Sequence, residues 1–257
     1  MISPKGAALA LLALFVSAAA TADDAPRWRF DVEASYSSLT KNNDPWREGA
    51  LRGGYRFDDG TWATGSAEFA DRFNMFDTYL EARIDTQVAP GVSIYAFAGG
   101  TPDADFRPKT AFGTGGGARL FKDGSAIEAL VATLDLRYSE YLAGDVEAVN
   151  PGVELYAFKG QAWFSVKAIN LWDETGKHRS GYTLRLDVEP SEGYTLFVGH
   201  ADAPDTSDGV TIDTQSWFGG VGVPLNDTTT LRLIGAQELR NGGYDRTAIT
   251  LALSVRM

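Results

Sequence analysis

The chain has 257 residues, a formal net charge of −11, no cysteine and two histidines. The absence of cysteine excludes disulfides, a thiolate metal site and a cysteine nucleophile. The acidic balance argues against nucleic acid as a partner, because its phosphates would repel the chain. We predict no metal site and no cofactor, since two histidines are too few for a multi-histidine centre.

Residues 1–22 have the features of a secretory signal peptide. Lys5 supplies the positive charge, an apolar run extends from Ala7 to Ala20, and residues 20–22 form an A-x-A cleavage site. The apolar run is short for a membrane-spanning helix, which needs about 20 residues. We therefore predict an exported protein with a single domain over residues 23–257.

Beyond the signal peptide, apolar and polar residues alternate. From Trp28 to Tyr36 every second residue is apolar, and the same period of two recurs at 182–189 and 249–256. This period indicates strands with two different faces. Turn signals divide the chain into fourteen predicted strands: 28–40, 47–57, 62–72, 78–88, 92–99, 110–121, 125–139, 150–158, 161–171, 179–189, 194–201, 212–223, 229–239 and 245–256.

The connections between these strands alternate in length. Six are tight turns rich in Gly, Pro and Asp, such as 58–60 and 89–91, and tight and longer connections are predicted to alternate strictly. The longer ones are 41–46, 73–77, 100–109, 140–149, 172–178, 202–211 and 240–244. In outer-membrane barrels, short turns face the periplasm and longer loops face the cell exterior. This pattern and the even strand number favour a barrel over a soluble sandwich, which would bury the apolar face.

Aromatic residues near the strand ends support the same choice. Trp and Tyr favour the membrane–water interface because their side chains are partly apolar and partly polar. The residues assigned to this belt are Trp28, Trp46, Phe57, Trp62, Phe73, Phe76, Tyr138, Tyr141, Trp163, Trp172, Tyr182 and Tyr194. We therefore predict an all-β protein, a transmembrane up-and-down antiparallel β-barrel of about 14 strands.

The alternation also predicts which charged residues face the lumen. Both signs occur, often two residues apart on one strand. The predicted set is Glu33, Glu48, Arg52, Arg56, Glu68, Arg72, Glu81, Arg83, Asp135, Arg137, Arg185, Asp187 and Arg232. Such a lumen either passes a polar solute or is occluded by its own charge pairs, and a barrel of this size is compatible with both.

Three segments carry a resemblance to a known family. The runs at 43–48 and 54–60, at 99–108, and at 199–206 and 210–214 resemble the YaiO family of outer-membrane β-barrel proteins, and the resemblance extends over essentially all of 27–257. It implies an outer-membrane location, no catalytic residues and, for some members, an association with surface polysaccharide. Such barrels commonly end in an aromatic residue, whereas this chain ends in Met257. We still expect insertion by the barrel assembly machinery, since the alternation before it is intact.

Two functions remain open. The first is a non-enzymatic outer-membrane barrel, either a channel or an export-linked component, in contact with outer-membrane lipid and lipopolysaccharide, with polysaccharide as a further candidate partner. The second is a lipid-modifying hydrolase in which His200 acts as the base for Ser216 or Ser207, because a serine nucleophile needs a base to activate it. His178 lies in a polar connection and is not assigned a role.

Overall fold

The computed structural model describes residues 26–58, 60–122, 127–206 and 208–257. The predicted signal peptide 1–22 and most of the predicted turn 122–124 lie outside these ranges. The described residues form fourteen strands: β1 (Trp28–Leu39), β2 (Trp46–Arg56), β3 (Thr61–Arg72), β4 (Met75–Ala89), β5 (Val92–Gly100), β6 (Thr110–Lys122), β7 (Ile127–Glu140), β8 (Asp145–Ala157), β9 (Ala162–Trp172), β10 (His178–Ser191), β11 (Tyr194–Asp205), β12 (Ile212–Asn226), β13 (Thr229–Arg240) and β14 (Arg246–Arg256).

The strands form one closed barrel. Each strand pairs antiparallel with its neighbours in sequence, and β1 pairs with β14 to close the ring. Because Arg29 lies opposite Arg256, β1 begins and β14 ends at the same end of the barrel, called here the terminal end. The opposite end is called the loop end. The predicted all-β, 14-stranded barrel is confirmed, and none of the described residues forms a helix long and apolar enough to cross a membrane.

The outer face of the wall is apolar. Leu80, Ile84 and Leu251 each expose about half of their surface, at 48%, 48% and 51%. In water such a continuous apolar surface would be unfavourable, at about 25 cal/mol for each Å². In a bilayer it contacts lipid, and the closed ring leaves no strand edge with unpaired backbone groups.

Two glycines on β6 are required by aromatic rings on the inner face of β5. A Cβ atom at Gly113 would lie 2.5 Å from the Phe97 ring, and one at Gly115 would lie 2.7 Å from the Tyr95 hydroxyl. The rings therefore lie flat against the neighbouring strand. This packing explains why glycines stand at positions of β6 where the alternation of apolar and polar residues would place a side chain.

At the loop end, three strands extend at least three residues beyond their predicted bounds. β4 begins at Met75, β8 begins at Asp145, and β11 continues to Asp205. The polar composition of these extensions and Pro151 suggested loops. Pro151 is accommodated inside β8 because the pairing of β8 with β9 is interrupted between Ala148 and Gly152, where the missing N–H of proline breaks no ladder.

The strict alternation of short and long connections is wrong. At the loop end, β3 and β4 are joined by residues 73–74 alone, and β7 and β8 by residues 141–144. Phe73 and Asn74 have positive φ angles of 51° and 64°. Positive φ at both central residues is the requirement of a tight type I′ hairpin, which the sequence signal did not reveal because neither residue is glycine.

Candidate functional site

Charged side chains line the interior of the barrel. Arg246 on β14 contacts Glu48 on β2 at 3.6 Å although β1 lies between these strands. Arg72 at the end of β3 contacts Asp208 after β11 at 3.3 Å. Contacts between strands that are not neighbours can form only through the lumen. The even-numbered residues of β2 and β3 that share this face therefore point inward.

On β1 to β3, the predicted lumen residues form a connected network. Arg52 lies 3.1 Å from Glu33 and 3.2 Å from Glu68, so it bridges β1 and β3. Closer to the loop end, Arg72 pairs with Glu48 at 2.5 Å. The planar guanidinium of arginine suits two carboxylates at once.

On the other strands, most predicted residues pair locally. Arg83 donates two hydrogen bonds to Asp85, at 2.8 and 2.6 Å, and Arg185 donates two to Asp187 at the same distances. Asp135 pairs with Lys167 on β9. In the two arginine–aspartate pairs, the fork of the guanidinium holds both carboxylate oxygens, so the charges are neutralised within one strand. Both pairs remain partly exposed to the lumen.

The four remaining residues of the predicted set have individual environments. Glu81 accepts a hydrogen bond from the Tyr79 hydroxyl at 3.0 Å. Arg137 donates one to the Ser139 hydroxyl at 3.1 Å, and its guanidinium lies 5.3 Å from the centre of the Phe97 ring. The last two are placed as follows: Arg232 contacts Asp31 at 3.3 Å, and Arg56 lies opposite Trp62 of β3.

A short repeated motif marks these local pairs. Arg-x-Asp occurs at residues 56–58, at the end of β2, and within strands at residues 29–31, 83–85 and 185–187, on β1, β4 and β10. In the last two, the aspartate lies opposite an aromatic residue of the next strand, Tyr95 or Phe197. The arginine stacks on that ring at 3.8 or 4.1 Å. The repeat is visible in the sequence and could have located these clamps of the inner wall.

At the loop end, a cluster called here the cap spans the lumen. It consists of Trp46, Arg72, Arg107, Asp208 and Arg240. Asp208 contacts Arg72 at 3.3 Å and Arg240 at 3.0 Å, so one carboxylate joins β3 and β13, between which β2, β1 and β14 lie. The Trp46 side chain is fully buried, and its ring lies 4.1 Å from the Arg72 guanidinium. The alternation predicted only Arg72 of this cluster as a lumen residue.

The loop at 101–109 folds inward beneath the cap. The buried carboxylate of Asp77 accepts hydrogen bonds from the backbone N–H groups of Asp105, Phe106 and Arg107, at 2.7 to 3.2 Å. Phe106 is consequently buried, and Arg107 reaches Glu68 at 2.8 Å. The fixed backbone therefore places an apolar ring and a cation inside the barrel.

Tyr244 adds a neutral donor to the cap. Its hydroxyl donates a hydrogen bond to Asp208 at 2.5 Å and accepts one from Arg240 at 3.1 Å. Burial raises the pKa of the phenol well above its usual value, and the hydrogen bond to the Asp208 carboxylate acts in the same direction. Tyr244 therefore stays protonated and keeps donating across the physiological pH range.

At the terminal end, the lumen widens into two cavities. The larger, called here the vestibule, measures about 650 Å³ and lies between β4 and β9. Its lining reaches Gly91 and Gly160, which belong to turns of the terminal end, so it opens there. The second measures about 500 Å³ and includes Arg29, Arg52 and Trp62 in its lining. The interior is therefore narrow at the cap and wide at the terminal end.

The aromatic belt assignment is wrong for three tryptophans. Trp46 is buried in the cap, Trp62 lines the second cavity, and Trp163 lies opposite Asp187 on the inner face. Trp28 and Trp172 remain on the outer face, with 48% and 39% of their surface exposed. A place near a strand end did not distinguish the inward-facing tryptophans from the outward-facing ones, because arginines on the inner face also provide groups on which an aromatic ring can stack.

His200 and Ser216 lie on opposite faces of the wall. His200 is opposite Trp217, which is 58% exposed on the outer face, and the two ring centres are 4.4 Å apart. Ser216 is opposite Glu238, which pairs with Arg246 inside the barrel. The imidazole therefore cannot activate Ser216, and Ser207 lies outside the described residues.

The acidic loop residues contact cations of the protein. Asp205 and Asp208 both contact Arg240, at 3.5 and 3.0 Å. Burial disfavours ionisation of Asp173, but hydrogen bonds from Thr175, Arg179 and the backbone hold the pKa of that carboxyl well below its usual range. In the described part of the chain, no group of three or more His, Asp or Glu side chains is placed to hold a metal ion.

Comparison with known proteins extends these observations. A search among curated proteins finds no match. Among solved structures, the Acinetobacter baumannii outer membrane protein Omp33 is similar with a TM-score of 0.62 at 12% identity, over 90% of this chain and 98% of that one. The CymD monoaromatic hydrocarbon channel has a TM-score of 0.59 at 9% identity, over 90% of this chain and 89% of that one.

These structural similarities, at low identity, support the barrel fold alone. The family comparison identifies the chain more specifically, because the model of the YaiO membrane β-barrel domain matches residues 28–197. This match confirms the resemblance recognised in the sequence and places the protein in the outer membrane. The chain belongs to the YaiO family of outer-membrane β-barrel proteins.

Proposed function

We propose that the protein is a non-enzymatic outer-membrane channel for small polar solutes, with the cap as its narrowest point. The observation that carries this proposal is the polar lumen, which widens from the cap into the vestibule at the terminal end. A barrel with a purely structural role would not need cavities of about 650 and 500 Å³ inside its wall. The hydrocarbon named for CymD does not suit this lumen, because charged side chains line both cavities.

Conductance in a planar bilayer tests the proposal. We expect discrete current steps from the purified, refolded protein, and small ones, because the Arg72–Asp208–Arg240 contacts narrow the lumen. Liposome swelling with a graded series of neutral sugars then gives the size limit. If folded protein gives neither current nor swelling, and a variant with the cap disrupted gives neither as well, the channel proposal is wrong.

An export-linked role, related to surface polysaccharide, is the finer form of this proposal. The wide cavities at the terminal end favour entry of the solute from that side. We also propose that the apolar outer face contacts outer-membrane lipid and lipopolysaccharide, and that the barrel assembly machinery inserts the chain. Deleting the gene and measuring surface polysaccharide by monosaccharide analysis tests the export role, and an unchanged amount would contradict it.

The orientation in the membrane is a testable prediction. We expect both chain ends and the turn at 57–60 in the periplasm, and residue Gly176 outside the cell. A Cβ atom at Gly176 would meet no other atom within 4 Å, so there is open space for an epitope inserted beside this residue. The glycine itself is kept, because its φ of 78° would strain any other residue. Antibody labelling of intact cells should detect this epitope and should miss one inserted in the turn at 57–60. The reverse labelling would show that the orientation is wrong.

Loss of the His200 side chain should leave lipid chemistry unchanged. The His200 ring packs against the Trp217 ring on the outer face, and Ser216 is on the other side of the wall. We therefore expect no release of fatty acid from phospholipid or lipopolysaccharide by the wild type or by His200→Ala. A general base typically contributes a factor of about 10² or more, so release by the wild type that disappears in the variant would establish the hydrolase instead.

A further inference from the structure

The vestibule has the dimensions of a small-molecule binding site. Its volume of about 650 Å³ lies within the range of roughly 300–1,000 Å³ common for ligand pockets. It lies on the inner wall formed by β4 to β9, between the middle of the barrel and the turns of the terminal end. A solute that passes through the proposed channel must therefore pass beside it.

The charged groups of the vestibule largely neutralise one another. Arg83 is paired with Asp85 through two hydrogen bonds, at 2.8 and 2.6 Å. Lys167 forms an ion pair with Asp135, whose carboxylate also accepts a hydrogen bond from Tyr95 at 2.6 Å. These pairs leave little net field in the cavity. They still present many donors and acceptors, each held in place by its partner.

The rest of the polar lining contributes two carboxylates and one cation, so the cavity wall carries one carboxylate in excess. Glu154 accepts a hydrogen bond from the Tyr156 hydroxyl at 2.8 Å. Arg119 and Glu128 also line the cavity, and within the described ranges no side-chain partner is found for either. One is a cation and the other an anion, so together they add donors and acceptors without favouring one sign of charge.

Aromatic rings and small residues supply apolar surface between these groups. The Tyr95 ring is fixed between Gly115 and the Arg83 guanidinium, which lies 3.8 Å from the ring centre. Tyr156 stacks on Trp163 with ring centres 6.3 Å apart. Rigid rings beside paired polar groups suit a ligand that carries both C–H surfaces and hydroxyl groups.

We propose that the vestibule binds a neutral, polyhydroxylated solute of the size of a small sugar. A simple anion would meet four carboxylates, those of Asp85, Glu128, Asp135 and Glu154, and a simple cation would meet three cations, Arg83, Arg119 and Lys167. A neutral polyol can accept hydrogen bonds from the second group and donate to the first without separating any ion pair. This inference rests on the proposed channel function, because it names the class of solute that the channel takes.

Binding is measured by calorimetry on the full, detergent-solubilised protein, with maltose as the neutral probe. Glucuronate and glucosamine serve as the anionic and cationic probes. We expect the wild type to bind maltose and to bind both charged sugars at least about tenfold more weakly. Equal or tighter binding of a charged sugar, or no binding of maltose, overturns the proposal.

Two variants locate the site. Asp135→Asn leaves Lys167 without its counter-charge, so we expect maltose binding to weaken about tenfold, since a hydrogen bond to a charged group is lost, and glucuronate binding to strengthen. Tyr95→Phe keeps the ring but removes its hydroxyl, and we expect a smaller loss of maltose binding. Asp71→Asn is the matched control, because Asp71 pairs with Arg47 at 3.5 Å and its side chain is 44% exposed.

The outcomes separate this inference from the channel proposal. Heat-modifiable migration on a gel confirms that each variant is folded before binding is measured. Maltose binding that is unchanged in folded Asp135→Asn would place the sugar elsewhere and overturn the site. Conductance without maltose binding leaves the channel and removes the vestibule site. Maltose binding with neither current nor swelling, in both the wild type and the variant with the cap disrupted, removes only the channel.

Discussion

Leu184→Arg should prevent most of the protein from assembling, whereas Thr183→Arg should not. Leu184 lies at the middle of β10, opposite Val166 and opposite His200 of the outer face. An arginine facing lipid near the bilayer midplane costs about 2–4 kcal/mol. Thr183 is the adjacent residue, so its side chain points to the lumen.

The free-energy cost of an arginine at position 183 should be smaller, and it should come from repulsion between like charges rather than from contact with lipid. Thr183 lies opposite Lys167, which pairs with Asp135 inside the barrel. Like charges directly opposite on neighbouring strands destabilise by up to about 1 kcal/mol. The lipid-facing substitution should therefore dominate, even though both variants introduce the same side chain.

Folding into lipid vesicles, followed by heat-modifiable migration, measures the difference. We expect a folded fraction near the wild-type level for Thr183→Arg and a much smaller fraction for Leu184→Arg. Leu184→Ala is the control, because it shortens the side chain without adding charge. Equal folded fractions for the two arginine variants would contradict the assignment of the faces.

The alternation of single residues was sufficient to predict the strands, but it did not by itself separate a membrane barrel from a soluble sandwich. Each strand was located because a wall between lipid and a polar lumen requires opposite chemistry on successive residues. The tight turn at Phe73 and Asn74 was not predicted, since its positive φ angles arise in residues that are not glycine. The extension of β8 was missed for a similar reason, because Pro151 normally argues against a strand interior.

Trp46 illustrates a conflict between two sequence signals. Its place at a strand end suggested the membrane interface, but it shares the parity of Glu48, which pairs inside the barrel. Parity was the better guide, because the Arg72 and Arg246 guanidinium groups at 4.1 and 5.0 Å stabilise the buried ring. A tryptophan can thus mark the lumen as well as the interface.

The cap could not be predicted from the sequence. Arg72 and Asp208 are separated by 136 residues, and their contact depends on how far two side chains reach across a lumen of unknown width. Arg107 enters the cluster only because Asp77 fixes the backbone of a loop distant in sequence. Periodicity predicts the face on which a residue lies, but not its partner on the other side of the barrel.

Removal of the Asp208 carboxylate should increase the conductance of the barrel several-fold. Asp208 is the group shared by Arg72, Arg240 and Tyr244, at 3.3, 3.0 and 2.5 Å. Both arginines are almost fully buried, with 6% and 4% of their surface exposed. Breaking a buried ion pair by removing one partner typically costs about 3–5 kcal/mol when the remaining charge is left uncompensated.

Neither arginine is left alone in Asp208→Ala, and this determines how the cap should respond. Arg72 keeps Glu48 at 2.5 Å on its own side of the lumen, and Arg240 keeps Asp205 at 3.5 Å on the other side. Without the shared carboxylate, the two cations repel each other and each is attracted to its remaining partner. The contact across the lumen should therefore separate while the wall stays intact.

Single-channel recording in planar bilayers measures the effect, with Asp71→Ala as the matched control. Asp71 belongs to a solvent-exposed pair with Arg47 at the same end of the barrel, and such pairs contribute about 0–1 kcal/mol. We expect larger or more frequent current steps from Asp208→Ala and wild-type behaviour from Asp71→Ala. Wild-type conductance in folded Asp208→Ala would mean that the cap is not the barrier to ion flow, and the constriction would then have to lie between the cap and the vestibule.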